Sequence, residues 1–361
     1  MSILFGTAGT SQSFAEQGYK NSVQVPEYTA KMGLDAFEYQ CGRGVRIKEE
    51  LASKIRAQAA VHGIYFSLHA PYYISMSSLE EEKRLNSVDY ILQSAAAIRA
   101  LGGQRVIFHS GSCGKQSREA ALEKALDTMH RIVAAVDEAG FSDIVLCPET
   151  MGKVGQLGTL DEVLALCGVD KRITPCIDFG HLNARDQGSI KTKADYAAIL
   201  DRMGEVLGDE RASKFHVHFS KIEYTTGGEK QHLTFADTVY GPDFEPLLEL
   251  CYERGLSPVI ICESAGTQAE DAATMKRYYQ SLGKCRPGPL KRARKGLKNS
   301  RFWGRIITDM SVNARAASLP LNSSSQAAAL AAQGRFGRAR INFNWRIIYD
   351  FCRRFSQWRN F

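Results

Sequence analysis

The chain has 361 residues, a hydrophobic fraction of 44% and a formal charge of +7. No apolar run approaches the roughly 20 residues that a transmembrane helix needs, and the N-terminus lacks a basic segment followed by a long apolar stretch. We therefore expect a cytoplasmic protein with no membrane span and no secretory signal. The nine cysteines include no CxxC pair and show no regular spacing, which argues against a cysteine-rich zinc module and a disulfide framework.

The positive charge is concentrated at the C-terminus. From residue 284 onward there are 17 Lys and Arg against 2 Asp and Glu, whereas residues 1–283 hold 29 against 37, a net charge of −8. We expect one domain over residues 1–283 and a basic, poorly ordered extension over residues 284–361. The alternative role for this extension is a tether to nucleic acid or to another acidic surface.

Residues 1–283 alternate short apolar runs with longer stretches of helical spacing, the pattern of βα units around a parallel sheet. Helices are predicted at 78–101, 117–139 and 242–254. The predicted strands are 4–9, 36–40, 65–71, 105–111, 144–150, 173–181, 215–221 and 259–264. Eight such units in about 280 residues favour a closed (β/α)8 TIM barrel over an open doubly wound sheet, which alternates in the same way.

Most of the predicted strands carry a histidine or a carboxylate near the C-terminal end, where barrel enzymes place their reacting groups. Glu38 lies near the end of the second strand. The candidate metal ligands on the other strands are His69, His109, Glu149, Asp178, His181, His216 and Glu263. Imidazole and carboxylate together suit Zn²⁺, Mn²⁺ or Fe²⁺, whereas Ca²⁺ and Mg²⁺ prefer oxygen ligands. Without cations, the converging carboxylates would repel one another.

The seventh strand offers two histidines on one face, because alternate strand residues point the same way. We expect His216 to be the ligand and His218 to support it or to contact the substrate. The polar loop that follows contains Glu229 and His232, which are placed to reach back to the rim and, beside His181, to complete a third metal position.

Several motifs in residues 1–283 together resemble the endonuclease IV family of apurinic/apyrimidinic DNA endonucleases, within the xylose isomerase-like barrel superfamily. They are SLHAPYYI (67–74), FHSGS (108–112), PET (148–150), IDFGHLNA (177–184), HVHFSK (216–221) and CES (262–264). The family's Asp-x-His pair is replaced here by Glu229 and His232, spaced one residue further apart.

The resemblance implies a monomer that binds two or three Zn²⁺ ions, with Mn²⁺ as an alternative, and that hydrolyses the phosphodiester 5′ to abasic sites in DNA during base excision repair. It implies three metal positions: His69, His109 and Glu149; Glu149, Asp178, His216 and Glu263; and His181, Glu229 and His232. It also implies catalytic roles for Glu149 and Glu263, and DNA contacts for Tyr72 and Lys221.

Two other functions remain open from the sequence. A sugar isomerase or epimerase on the same barrel would need only Glu149, Asp178, His216 and Glu263, and would leave His69, His109 and His181 without a role. An inactive barrel that binds nucleic acid through its basic extension is the other alternative.

Overall fold

The computed structural model describes residues 3–284. Within them, eight parallel strands form the barrel. They are β1 (Leu4–Ala8), β2 (Ala36–Gln40), β3 (Tyr65–His69), β4 (Arg105–Phe108), β5 (Val145–Pro148), β6 (Cys176–Asp178), β7 (His216–Phe219) and β10 (Val259–Cys262). The hydrogen-bonded order is β5-β4-β3-β2-β1-β10-β7-β6. A parallel bridge between Glu149 and Cys176 joins the two end strands, so the sheet closes as predicted.

Helices follow the strands, and most of them cover the outside of the barrel. They are α1 (Gln12–Glu16), α2 (Val25–Lys31), α3 (Glu49–His62), α4 (Glu81–Leu101), α5 (Arg118–Glu138), α6 (Leu160–Cys167), α7 (Phe179–Arg185), α8 (Lys193–Leu207), α9 (Asp209–Ala212), α10 (Glu245–Arg254) and α11 (Gln268–Lys284). A short 3₁₀ helix, Ser22–Gln24, precedes α2. The main apolar core lies between the sheet and these helices.

Local sequence explains where several helices begin and end. Helix α6 begins with a capping box in which Thr159 and Glu162 each accept a backbone N–H of the other. Helix α4 ends at Gly102, whose φ of 82° lies in the left-handed region that glycine tolerates. None of the helices in residues 3–284 is long and apolar enough to cross a membrane.

The structure corrects the predicted sixth strand, which is much shorter than 173–181. Strand β6 ends at Asp178, whose side chain accepts the backbone N–H of His181 at 2.7 Å and caps α7. His181 therefore lies on a helix rather than a strand. An N-terminal aspartate cap ends the strand here because it satisfies the first free N–H groups of the helix.

The loop after β7 contains a hairpin that the sequence analysis did not predict. Strands β8 (Ile222–Thr225) and β9 (Gly228–His232) pair in antiparallel fashion. The backbone of the segment after β5 extends this pairing, since Glu229 donates its N–H to the Gly152 carbonyl at 3.1 Å. The predicted extension over residues 284–361 falls outside the described residues apart from the last residue of α11.

Candidate metal centre

Donor atoms from several strand ends and loops converge at the C-terminal rim of the barrel. Three groups of His and carboxylate side chains each have one ligand atom per residue within 4.8 Å of the others. The groups are His69, His109 and Glu149; Glu149, Asp178, His218 and Glu263; and His181, Glu229 and His232. Eight of the nine predicted ligands lie in these groups, and His216 is replaced by His218.

The first group joins strands β3, β4 and β5. His69 Nε2 lies 3.2 Å and His109 Nε2 3.3 Å from Glu149 Oε2. The other ring nitrogen of His69 lies 2.8 Å from the Ala70 carbonyl oxygen. A carbonyl can only accept, so His69 Nδ1 carries a proton, and Nε2 beside Glu149 is the nitrogen that would bind a metal.

Glu149 lies at the centre of the site, and its two oxygens face different histidines. Oε2 faces His69 and His109, whereas Oε1 lies 3.0 Å from His218 Nδ1 and 3.4 Å from His181 Nδ1. The residue is only 1% exposed. A carboxylate in this position can bridge two metal ions, with one oxygen for each.

The second group differs from the predicted ligand set at one residue. His218, not His216, faces Glu149, and His218 Nδ1 also lies 3.4 Å from Glu263 Oε1. His216 begins strand β7 and lies one layer deeper, where its Nε2 contacts Glu38 Oε2 at 3.0 Å. Strand parity correctly placed both rings on the same face, but parity carries no information about depth along the barrel axis.

Glu38 also lies deeper than the rim, inside the barrel, with 0% exposure. Gln40, two residues later, lines the rim instead.

The third group depends on the β8–β9 hairpin. His181 Nε2 lies 3.4 Å from Glu229 Oε2, and His232 Nε2 lies 3.9 Å from Glu229 Oε1. His181 Nδ1 lies 3.0 Å from the Thr150 carbonyl, which leaves Nε2 to face the hairpin. The longer spacing between Glu229 and His232 still brings both side chains together, because the hairpin register shifts between Glu223 and Tyr224 and leaves Lys230 as an extra residue on β9.

The electrostatics of the rim reflect its crowding. Burial opposes ionisation of Glu149, but His218, His109 and His181 outweigh burial and hold its pKa well below the usual range. Burial raises the pKa of Glu263, and the negative charges of Glu149 and Asp178 raise it further against the opposing histidines. Bound cations would relieve the repulsion between these carboxylates.

One buried oxygen indicates that the donors fit a metal. Asp178 is 0% exposed, and its Oδ2 has no hydrogen-bond partner among the described residues. The nearest basic atom, His181 Nδ1 at 3.2 Å, is directed to the Thr150 carbonyl instead, and a bound cation would neutralise this buried oxygen. The mixture of imidazole nitrogens and carboxylate oxygens matches the preferences of Zn²⁺, Mn²⁺ and Fe²⁺.

The ligands lie at the floor of an open cleft of about 670 Å³. Tyr72 lines the cleft, is 57% exposed, and stacks on His109 with ring centroids 5.3 Å apart and planes 14° apart. Side chains that the sequence analysis missed also line it: Gln40, Met151, Lys153, Gln156 and Gln268. All except Gln40 come from loops or a helix start, where neither strand parity nor any motif marks them.

Lys221 does not line the cleft. Its side chain is 12% exposed, and its amine donates to the Asp237 carbonyl at 2.7 Å and contacts Asp243 Oδ1 at 3.2 Å. Lys221 is thus paired with the segment that leads to α10, and its contact with DNA stays a prediction. Its opposite parity to Ser220 explains why it points away from the barrel axis.

Comparison with known proteins places this arrangement in a family. Residues 26–282 match the family described as xylose isomerase-like TIM barrel. The uncharacterized protein MJ0133 of Methanocaldococcus jannaschii is 34% identical over 278 residues, which cover 77% of this chain and 97% of that protein. A probable endonuclease 4 of Shouchella clausii is 23% identical over 235 residues, which cover 62% of this chain and 76% of the relative.

Among solved structures, a D-tagatose 3-epimerase-like protein has a TM-score of 0.59 at 19% identity, covering 78% of this chain and 98% of that protein. This likeness supports the barrel fold. On the family match and the archaeal relative, the chain belongs to the xylose isomerase-like TIM barrel family, a group of metal-dependent enzymes that includes endonuclease IV.

Proposed function

We propose that this protein is a metal-dependent endonuclease that hydrolyses the phosphodiester 5′ to abasic sites in DNA, with two or three Zn²⁺ ions per chain. The observation that carries the proposal is the central position of Glu149, whose two oxygens face separate histidine pairs. Such sharing is expected of a cluster of ions and is not needed for a single ion. Similarity to a probable endonuclease 4 supports the same assignment.

The ligand sets follow the three groups. His69, His109 and Glu149 would hold one ion, Glu149, Asp178, His218 and Glu263 a second, and His181, Glu229 and His232 a third. When bound, such ions polarise a phosphate oxygen, lower the pKa of water and stabilise the leaving oxygen. Zn²⁺ and Mn²⁺ both suit these donors.

Two carboxylates have different places in the proposed reaction. Glu149, whose side chain is 1% exposed, holds the groups at fixed separation. Glu263 has a 15% exposed side chain and lies between His218 and His232, at 3.4 and 4.0 Å. Its greater exposure makes Glu263 the better candidate to accept, at a carboxylate oxygen, the proton released by the attacking water.

The open cleft favours a polymeric substrate. Tyr72 is 57% exposed, and its ring stacks on that of His109. An exposed aromatic ring beside the ligands is suited to stack on a base or to fill the gap that a missing base leaves in a duplex. Lys153, on the loop after β5, also lines the cleft and would supply a positive charge for a phosphate.

A sugar isomerase or epimerase is the second candidate. The group Glu149, Asp178, His218 and Glu263 is by itself sufficient to hold one metal, and the fold is similar to that of a D-tagatose 3-epimerase-like protein. This function leaves five clustered donors without a role: His69, His109, His181, Glu229 and His232.

Metal analysis and activity assays on the full chain separate the candidates. We expect two or three metals per chain, and nicking of a duplex with one abasic site that stops when a chelator is added. His109→Ala should abolish nicking, whereas His130→Ala, an exposed histidine on α5, should not. One metal per chain, no nicking and turnover of a ketose would instead establish the isomerase.

A further inference from the structure

The interior of the barrel, directly beneath the metal groups, contains charged and polar side chains. Glu38, Ser67, His216 and His218 are all 0% exposed there. Barrel interiors are usually filled by branched aliphatic residues, because a buried charge without partners is costly. This polar cluster therefore requires a reason other than packing.

Glu38 is the centre of the interior cluster. Its Oε2 accepts from Ser67 Oγ at 2.9 Å and lies 3.0 Å from His216 Nε2. Its Oε1 accepts from Gln40 Nε2 at 3.2 Å and lies 2.9 Å from His218 Nε2. Each oxygen of the carboxylate thus has two polar neighbours, and four side chains limit its movement.

His218 connects this interior cluster to the rim. Its Nε2 faces down to Glu38, while its Nδ1 faces up to Glu149 and Glu263. The contact of 2.9 Å between Nε2 and Glu38 is not aligned as a hydrogen bond, and Nε2 has no other hydrogen-bond partner among the described residues.

The partners of the two ring nitrogens of His218 determine which nitrogen can bind a metal. A neutral imidazole carries a proton on one nitrogen and a lone pair on the other. Both nitrogens of His218 face carboxylates, which can only accept hydrogen bonds, so a cation that binds Nδ1 at the rim would leave the single ring proton on Nε2, towards Glu38. Carboxylates behind metal-binding histidines orient the ring in this way and commonly change metal affinity by 10–100-fold.

We propose that Glu38 is a positioning residue that holds His218 with Nε2–H towards the barrel interior and Nδ1 towards the metal groups. The proposal deepens the proposed metal-dependent function and rests on it. His216 and Ser67 contact Oε2, the oxygen of Glu38 that does not face His218. This contact gives a role to the second histidine on the same face of β7, which does not reach the rim.

A different use of the same residues is an ion inside the barrel. Donor atoms of Cys176, His216 and His218 lie within 4.8 Å of one another. We favour Glu38 as a positioning residue over an interior ion because His218 Nδ1 already faces Glu149 and Glu263 at the rim, at 3.0 and 3.4 Å. The interior ion is one of the outcomes that the experiment distinguishes.

The test measures Cd²⁺ binding by the full chain in competition with a chelator. We expect Glu38→Gln, which keeps the volume and one acceptor oxygen, to weaken Cd²⁺ affinity by about tenfold, and Glu38→Ala by about a hundredfold. Val259→Ala, which changes interior packing beside His216 without touching this contact, should lower the melting temperature and leave Cd²⁺ affinity unchanged.

A spectroscopic measurement on the unaltered protein does not depend on whether a variant folds. With ¹⁵N-labelled histidine and ¹¹³Cd²⁺, we expect coupling from cadmium to Nδ1 of His218 and a protonated Nε2. Coupling to Nε2 of His218 or to His216 would overturn the proposal. So would Cd²⁺ affinities of both Glu38 variants equal to the parent's. A parent chain that binds no Cd²⁺ would instead overturn the proposed function, and this inference with it.

Discussion

His218 and His216 lie on the same face of one strand, yet only His218 reaches Glu149 at the rim. His218 Nδ1 lies 3.0 Å from Glu149 Oε1, whereas His216 Nε2 lies 3.0 Å from Glu38 Oε2. One step of two residues along β7 therefore separates a proposed metal ligand from an interior residue.

Substitution of each histidine tests this separation. His218→Gln removes the one nitrogen donor of its group, so we expect one metal fewer per chain and a loss of nicking of at least a hundredfold, because a metal ligand is lost. His216→Gln should retain the full metal complement at saturating metal. Metal content is measured by mass spectrometry. A lower metal count for His216→Gln with a full count for His218→Gln would show that His216 is the ligand, as predicted from the sequence.

Gly152 controls the third metal group through close packing. A Cβ at this position would lie 2.6 Å from Glu229 Cβ and 3.0 Å from His181 Cδ2. Gly152→Ala must therefore push the hairpin away from α7, and we expect loss of the third metal. Activity should fall by at least tenfold, with a small change in melting temperature.

Gly155→Ala is the matched control for this substitution. It lies on the same loop, and no atom lies within 4 Å of the added Cβ. Its metal content and activity should equal those of the parent. Equal metal content in the Gly152 variant would show that the hairpin does not form a metal position.

Tyr72 should contribute to substrate binding and not to metal binding. Its exposed ring face is suited to stacking, which is worth about 1–3 kcal/mol per base. We expect Tyr72→Ala to weaken binding to an abasic duplex by about tenfold without changing metal content. Tyr73→Ala is the control. Tyr73 is similarly exposed, at 56%, but its ring packs on Tyr90 away from the ligands. Equal effects from both variants would argue against a specific stacking role.

Glu162 gives a prediction for stability. It accepts from Arg118 and from the backbone N–H groups of Gly158 and Thr159, and so anchors the loop that lines the cleft. Burial alone would raise its pKa, but Arg118 and these N–H groups lower it below the ordinary value of 4.5. Its contribution to stability is therefore present above pH 4.5 and is lost as the pH falls through the lowered pKa.

We expect Glu162→Gln to reduce the free energy of unfolding at pH 7 by about 2 kcal/mol, the scale of hydrogen bonds to a charged group. The difference from the parent should shrink as the pH falls below 4.5. Denaturant unfolding at several pH values measures it. Glu123→Gln, exposed on α5, should change stability by less than about 0.5 kcal/mol. A constant difference across pH would contradict the assignment of the lowered pKa.

The barrel and most of its rim followed from sequence pattern alone. Eight apolar runs predicted the eight barrel strands, because buried parallel strands are apolar on both faces. His69, His109, Glu149 and Glu263 could be placed at the rim because parallel strands of a barrel all end on one side. The residue types and this one geometric rule were sufficient.

Only the tertiary structure decided depth and orientation. The sequence shows that His216 and His218 share a face, but strand stagger in the closed barrel determines that His218 reaches the rim and that Glu38 lies beneath it. The position of His181 on α7 and the return of Glu229 and His232 through a hairpin depend on packing between segments distant in sequence. Periodicity records the direction in which a side chain points, whereas its height in the barrel and its contacts are properties of the assembled chain.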